Sequence, residues 1–182
     1  MPRMPRQELA GAVHHVYARG NRQQVIYRDD LDRRRYLLLL AQVVVRQGWL
    51  CLAYCLMDNH VHLLIETPEP NLGAGMRRAH GLYAQSFNRR HRATGHLFQG
   101  RFGSVMQTND AQLLVTARYI VRNPVASGLC DEPEDWPWSS HTAATSPWLH
   151  TDRLHQFFSP TGGSGSEAAT RRRHFEQFVA LR

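Results

Sequence analysis

Hydrophobic and polar positions change period several times along the 182-residue chain, and each change marks an element. Residues 12–19 (AVHHVYAR) read as a strand that ends at the Gly20-Asn21 turn signal. From Leu31 to Gln47 the period becomes helical. Asp29 and Asp30 place negative charge where the helix dipole favours it, and Gly48 supplies a stop. Trp49 to Met57 reads as a strand, Asp58-Asn59 as a turn, and His60 to Glu66 as a second strand closed by Pro68 and Pro70, together a hairpin. Leu72 to His91 is the next helix. Leu97 to Thr108 holds one or two short strands around Gly100 and Gly103. Ala111 to Arg122 is a helix that Pro124 and Gly128 terminate. Asp131 to Ser140, with Trp136 and Trp138, reads as an ordered loop packing its rings on the body. Thr161 to Ser166 reads as a flexible linker and Arg171 to Leu181 as a short basic helix. This pattern predicts an α+β fold with an antiparallel central sheet flanked by helices, rather than a doubly wound one. It divides the chain into a domain over 1–150 and a C-terminal tail over 151–182.

Composition narrows the class. No apolar run approaches 18 residues, so no segment is expected to span a membrane. The N-terminus lacks the apolar stretch of a signal peptide. Cys51, Cys55 and Cys130 form no CxxC pair, which argues against a disulfide framework and for a reducing, cytoplasmic setting. The net charge is +7, and all 22 basic residues are Arg. Arg forks match phosphate oxygens two at a time, so the charge fits a polyanionic partner. The missing Lys is attributed mainly to genomic base composition.

Alternation along the second hairpin strand sets His60, His62, Leu64 and Glu66 on one face, and Val61, Leu63 and Ile65 on the other. The second set must face a core. The two imidazoles then stand roughly 7 Å apart at Cα, close enough to share one divalent metal, whereas Glu66 lies too far along the strand to join them easily. On the helix from Ala111, residues Leu113, Leu114, Ala117, Ile120 and Val121 form an apolar stripe. Gln112, Thr116, Tyr119 and Asn123 form a separate polar one. Tyr119 and Asn123, four residues apart, meet on the surface. A tyrosine phenol can attack a phosphodiester, and a metal held by two His and one carbonyl oxygen can polarise the phosphoryl group. Imidazole mixed with oxygen ligands suits Mg²⁺ or Mn²⁺.

Candidate nucleic-acid contacts accompany this site, seven arginines and one asparagine: Arg19, Asn21, Arg22, Arg77, Arg78, Arg89, Arg90 and Arg101. Tyr83, Phe87, Phe98 and Phe102 are interleaved with them, positioned either to stack on unpaired bases or to pack in the core.

Several stretches together resemble the REP-associated tyrosine transposases of the single-tyrosine HUH superfamily, with an IS200-like transposase domain. They are Ala18-Arg-Gly-Asn-Arg22, Leu56-Met-Asp-Asn-His-Val-His-Leu-Leu64, Thr94-Gly-His-Leu-Phe-Gln-Gly-Arg-Phe102, Arg118-Tyr-Ile-Val-Arg-Asn-Pro-Val125 and Trp136-Pro-Trp-Ser-Ser140. The resemblance implies a ferredoxin-like HUH endonuclease fold acting on single-stranded or hairpin DNA. It implies that His60, His62 and Asn123 bind the metal. It also implies that Tyr119 is the nucleophile, leaving a 5′-phosphotyrosine and a free 3′-OH. Asp58 and His141 depart from the residues common in the family at their positions. Related transposases include dimers with the tyrosine contributed to the partner's site, so monomer and homodimer both remain open. Two other readings compete: a catalytically silent hairpin DNA- or RNA-binding module, and a His-ligated hydrolase of small phosphate esters.

Overall fold

In the computed structural model the described residues are 8–143, 146–158 and 166–181. The N-terminal stretch read for a signal peptide, and the expected linker apart from Ser166, lie outside them. The elements in order are β1 (Ala12–Arg19), α1 (Asp30–Gln47), β2 (Leu50–Leu56), β3 (His60–Thr67), α2 (Leu72–His91), β4 (Gly103–Gln107), α3 (Asp110–Ala126), α4 (Asp152–His155) and α5 (Glu167–Ala180). The strands form one antiparallel sheet in the order β2-β3-β1-β4. The α+β expectation holds.

Each face of the sheet carries a core. On one face Val16, Val61, Leu63 and Ile65 pack with Tyr36 and Leu40 of α1 and with Met76 and Tyr83 of α2. On the other, Leu52, Ala53 and Leu64 pack with Leu113, Ala117, Ile120 and Val121 of α3 and with Phe175 and Val179 of α5. The alternation of β3 thus separates two apolar layers, not a core from solvent. His60 and His62 lie on the Leu64 face of β3, beside this second layer.

Local chemistry explains the boundaries. The Asp29 side chain accepts from the Asp32 amide at 3.1 Å, and Gly48 takes φ +67° at the end of α1, a left-handed turn that suits glycine. Met57 N–H donates to the His60 carbonyl at 2.9 Å, closing the hairpin turn. The Trp-containing loop extends the sheet edge: Leu56 N–H donates to Trp138 O and Ser140 N–H to Tyr54 O, both at 2.9 Å, so β2 is not left bare. Cys51 and Cys55 are buried and unlinked, and burial pushes the Cys51 thiol up to about 12. No helix among the described residues is long and apolar enough to cross a membrane.

Two helix boundaries differ from the sequence expectation. Helix α3 does not stop at Pro124 but continues to Ala126. Pro124 removes one hydrogen bond, to the Ile120 carbonyl. Ile120, Val121 and Pro124 are all buried, and this packing carries the helix on until Gly128 turns at φ +68°. Of the one or two short strands expected over 97–108, one forms, β4 from Gly103, and Phe98 adds a single bridge to Gly20. Of the two readings open for Tyr83, Phe87, Phe98 and Phe102, core packing holds: all four are buried in the first core. Helix α5 also begins a turn before the expected residue 171, because the Ser166 side chain caps it by accepting from Ala169 N–H.

Candidate active site

The sheet register assembles the site. Arg19 and Tyr17 of β1 stand directly opposite His60 and His62 of β3. Opposite residues of an antiparallel pair share a face, so β1 delivers Arg19, Tyr17 and His15 to the histidine side. Helix α3 crosses this face. The Asn109 side chain caps it by accepting from Gln112 N–H at 2.9 Å, and Thr116 Oγ1 donates to Gln107 Oε1 of β4 at 2.7 Å. Buried Leu113, Ala117, Ile120 and Val121 set its rotation, and the polar stripe then turns towards the imidazoles.

The four residues picked from sequence come together within one chain. The His60 and His62 ring centres lie 5.0 Å apart and nearly perpendicular. The Tyr119 ring centre is 5.4 Å from that of His62. Asn123 Oδ1 lies 3.2 Å from His60 Nε2. Asn123 and His62 are buried, while Tyr119 is 49% exposed. Glu66 stays apart, as its distance along the strand requires, and pairs with Arg153 at 3.2 Å.

Two further residues, not singled out from sequence, hold the imidazoles. Asn59 Nδ2 donates to the Gln23 carbonyl at 3.1 Å, which turns its Oδ1 towards His60 Nδ1 at 2.7 Å. An amide oxygen only accepts, so His60 carries its proton on Nδ1 and keeps a lone pair on Nε2. That lone pair faces Asn123 Oδ1. Two opposed acceptors repel unless a cation or proton lies between them or the amide turns over. His15 Nε2 lies 2.9 Å from His62 Nδ1. When His62 donates here, its Nε2 also keeps a free lone pair. The adjacency of Asn59 to His60 was legible in sequence. The pairing of His15 with His62 depends on strand register and left no sequence signal beyond the doublet His14-His15.

Burial keeps these rings neutral. His62 is pushed down to about 3, first by desolvation, then by His15, His60 and Arg19. Desolvation also lowers His60, although the nearby Asn123 oxygen, which favours a proton on Nε2, acts the other way, and it lowers His15. Neutral imidazoles with free lone pairs are metal ligands. Among the described residues no trio of His, Cys, Asp or Glu could hold an ion. The donor set here is two imidazoles and one amide oxygen, which fits a hard divalent cation with open positions.

The candidate nucleic-acid contacts disperse. Arg19 lies beside the histidines. Arg77 and Arg101 line a cavity of about 670 Å³ between α2 and residues 95–102. Arg90 is taken up by Asp29 and Asp32, both at 2.6 Å. Arg22, Arg78 and Arg89 are exposed, and Asn21 N–H donates to the Leu97 carbonyl at 2.8 Å. The two family departures have structural partners: Asp58 meets Arg33 at 2.5 Å, and His141 meets Glu134 at 3.0 Å.

Comparison with known proteins gives three likenesses. The family model described as Transposase IS200 like matches residues 9–123. A Haemophilus influenzae protein that carries the name REP-associated tyrosine transposase is 30% identical over 100 residues, which cover 48% of this chain and 56% of that protein. The chain thus spans little more than half of that curated relative. A solved structure of the REP-associated tyrosine transposase bound to a REP hairpin matches with a TM-score of 0.65 at 19% identity, over 77% of this chain and 82% of that one. That last likeness is one of fold.

Proposed function

Because the chain belongs to the IS200-like transposase family, we propose that it nicks and rejoins single-stranded DNA at hairpin-forming palindromes through a covalent bond to Tyr119. The observation that carries this reading is the meeting of Tyr119, His60, His62 and Asn123 on one face of one chain. The hairpin substrate is carried over from the solved relative, which is bound to one.

His60, His62 and Asn123 are the residues that would hold Mg²⁺ or Mn²⁺. When bound, the ion polarises the phosphoryl oxygen and offsets the charge that develops on it. The half-exposed Tyr119 phenol is free to approach a phosphodiester. Its oxygen forms the bond to phosphorus and gives up its proton, while the bond from phosphorus to the 3′ oxygen breaks and that oxygen gains a proton. The products are a 5′-phosphotyrosine and a free 3′-OH. Attack by a 3′-OH on the same phosphorus reverses the step and rejoins strands, so one difficult exchange becomes two easier ones. Arg19, opposite His60, is placed to hold a phosphate with its fork.

The test is a denaturing gel after incubation with a single-stranded hairpin and Mg²⁺ or Mn²⁺. A protein–DNA adduct forms with the native chain, disappears with chelator, and is absent from Tyr119→Phe, whose circular dichroism is unchanged. An adduct that survives in Tyr119→Phe rejects this nucleophile. Hairpin binding with a steep salt dependence and no cleavage under any metal would favour the silent-module reading instead.

A further inference from the structure

The rings interleaved with the arginines along the sequence are core residues and cannot reach a strand. Tyr83, Phe87, Phe98 and Phe102 are 1%, 5%, 9% and 6% exposed. Among the described residues the exposed Tyr, Phe and Trp side chains are Tyr17, Tyr119 and Phe157. Phe157 follows α4 in the C-terminal segment, and Tyr119 is the proposed nucleophile. Tyr17 is unassigned and lies at the site.

Tyr17 stands on β1 between His62 of β3 and Gly103 of β4, directly opposite both. Its ring centre is 5.6 Å from that of His15 and 6.4 Å from that of His62. Towards β4 the ring lies over Gly103, where any Cβ would overlap its atoms. A bare backbone therefore seats the ring, and 43% of the residue remains open to solvent. Helix α3 packs mainly over β2 and β3 and meets β4 at its end through Thr116 and Gln107, while Val105, opposite His15 on the same face as Tyr17, is exposed. Arg19 lies two residues along β1 on the same face, next to His60.

A large planar ring, held against backbone and open beside a phosphate-sized basic site, is what an unpaired base needs. Every base presents a π-face, so stacking tolerates sequence, and a neighbouring Arg tracks the backbone. We infer that Tyr17 is the stacking platform for an unpaired nucleobase of the bound strand, adjacent to the phosphate that lies at His60 and His62. The inference rests on reading this face as a single-stranded DNA site. It assigns the ring and not the hydroxyl.

The experiment uses the full chain with chelator present, so that binding is read without cleavage. The probe is a hairpin oligonucleotide whose single-stranded flanks carry 2-aminopurine at successive positions. Native protein quenches the fluorescence at one flank position. Tyr17→Phe and Tyr17→Trp keep that quench and the affinity, whereas Tyr17→Ala loses the quench and binds roughly ten-fold or more weakly. The loss is the same factor at low and high salt, while Arg19→Ala lowers the salt slope by about one. If native protein binds the flanked hairpin but Tyr17→Ala binds equally well with the same quench, the stacking role is overturned and the DNA reading stands. If Tyr17→Phe is as defective as Tyr17→Ala, the hydroxyl matters and the platform role is overturned. If the native chain binds no single strand at all, both fall together.

Discussion

Asn59 shows how one side chain fixes the chemistry of the next. Its amide is oriented by the Gln23 carbonyl, so its oxygen dictates which His60 nitrogen carries the proton. His15 holds the corresponding place behind His62. Partners of this kind around a ligating imidazole are worth about 10–100-fold in metal affinity. Asn59→Ala and His15→Ala are therefore expected to weaken Mn²⁺ binding by about that factor in titration calorimetry, with the fold retained. Unchanged affinity in both variants would remove these residues from the site. Tyr119 and Asn123 were legible because helical spacing alone puts them one turn apart. His15 was not, since nothing local relates it to a residue 47 positions away.

At the scale of elements, α1 and α2 are joined by charge as well as by apolar packing. Asp32, at the first turn of α1, is 3% exposed and meets Arg90 at 2.6 Å and His91 at 2.8 Å, both at the end of α2. Arg90 also meets Asp29, the cap of α1, and that bond holds the Asp29 carboxyl well below the usual carboxylate range. Each charge sits where a helix dipole favours it, acids at an N-terminus and bases at a C-terminus. Asp32→Ala would leave Arg90 and His91 short of a partner. Loss of a fully buried partner costs about 3–5 kcal/mol, and the partial exposure of Arg90 lowers the expectation to about 2 kcal/mol. Urea unfolding measures it, and a change under 0.5 kcal/mol, about that of an ordinary surface substitution, would reject the assignment. On the other side of the sheet, α5 braces α3, the helix that carries Tyr119 and Asn123. Phe175 and Val179 pack with Ala117 and Val121, while Arg122 donates to the Val179 carbonyl at 2.8 Å and Arg118 to that of Leu181. The basic residues read from sequence as a tail helix are largely engaged here, Arg172 with Glu176 at 2.8 Å and Arg171 with Glu167.

For the whole molecule, histidine burial sets a pH dependence. His80 is pushed down to about 4 and His62 to about 3, each chiefly by desolvation. In the unfolded chain both titrate near 6.5. Between pH 6.5 and about 4 the unfolded state therefore binds more protons, so the stability present above pH 6.5 is lost progressively as pH falls. At pH 5 the two histidines account for about 2–4 kcal/mol, and Tm is expected to lie roughly 5–10 °C below its value at pH 7.5. Differential scanning calorimetry across that range decides it, and a flat profile would mean that these rings are not neutral in the folded state. Tyr119 also lies beside His62 of its own chain, so the four proposed catalytic groups need no second copy to meet.

Periodicity and turn chemistry by themselves determined most elements of this protein: β1, α1, the β2–β3 hairpin and α2 are local, set by side-chain alternation, caps and glycine stops. They also determined that His60 and His62 share a face and that Tyr119 and Asn123 share a helix edge. Tertiary structure alone decided that the two pairs meet, because that depends on how α3 packs across the sheet. It decided as well that the aromatic set on and after α2 is core, since an aromatic side chain among arginines has no local signal for inside or outside. Of the eight residues proposed to touch DNA, strand pairing brings Arg19 to the imidazoles and helix pairing draws Arg90 away. Charge composition, which first suggested a polyanionic partner, holds no such geometry.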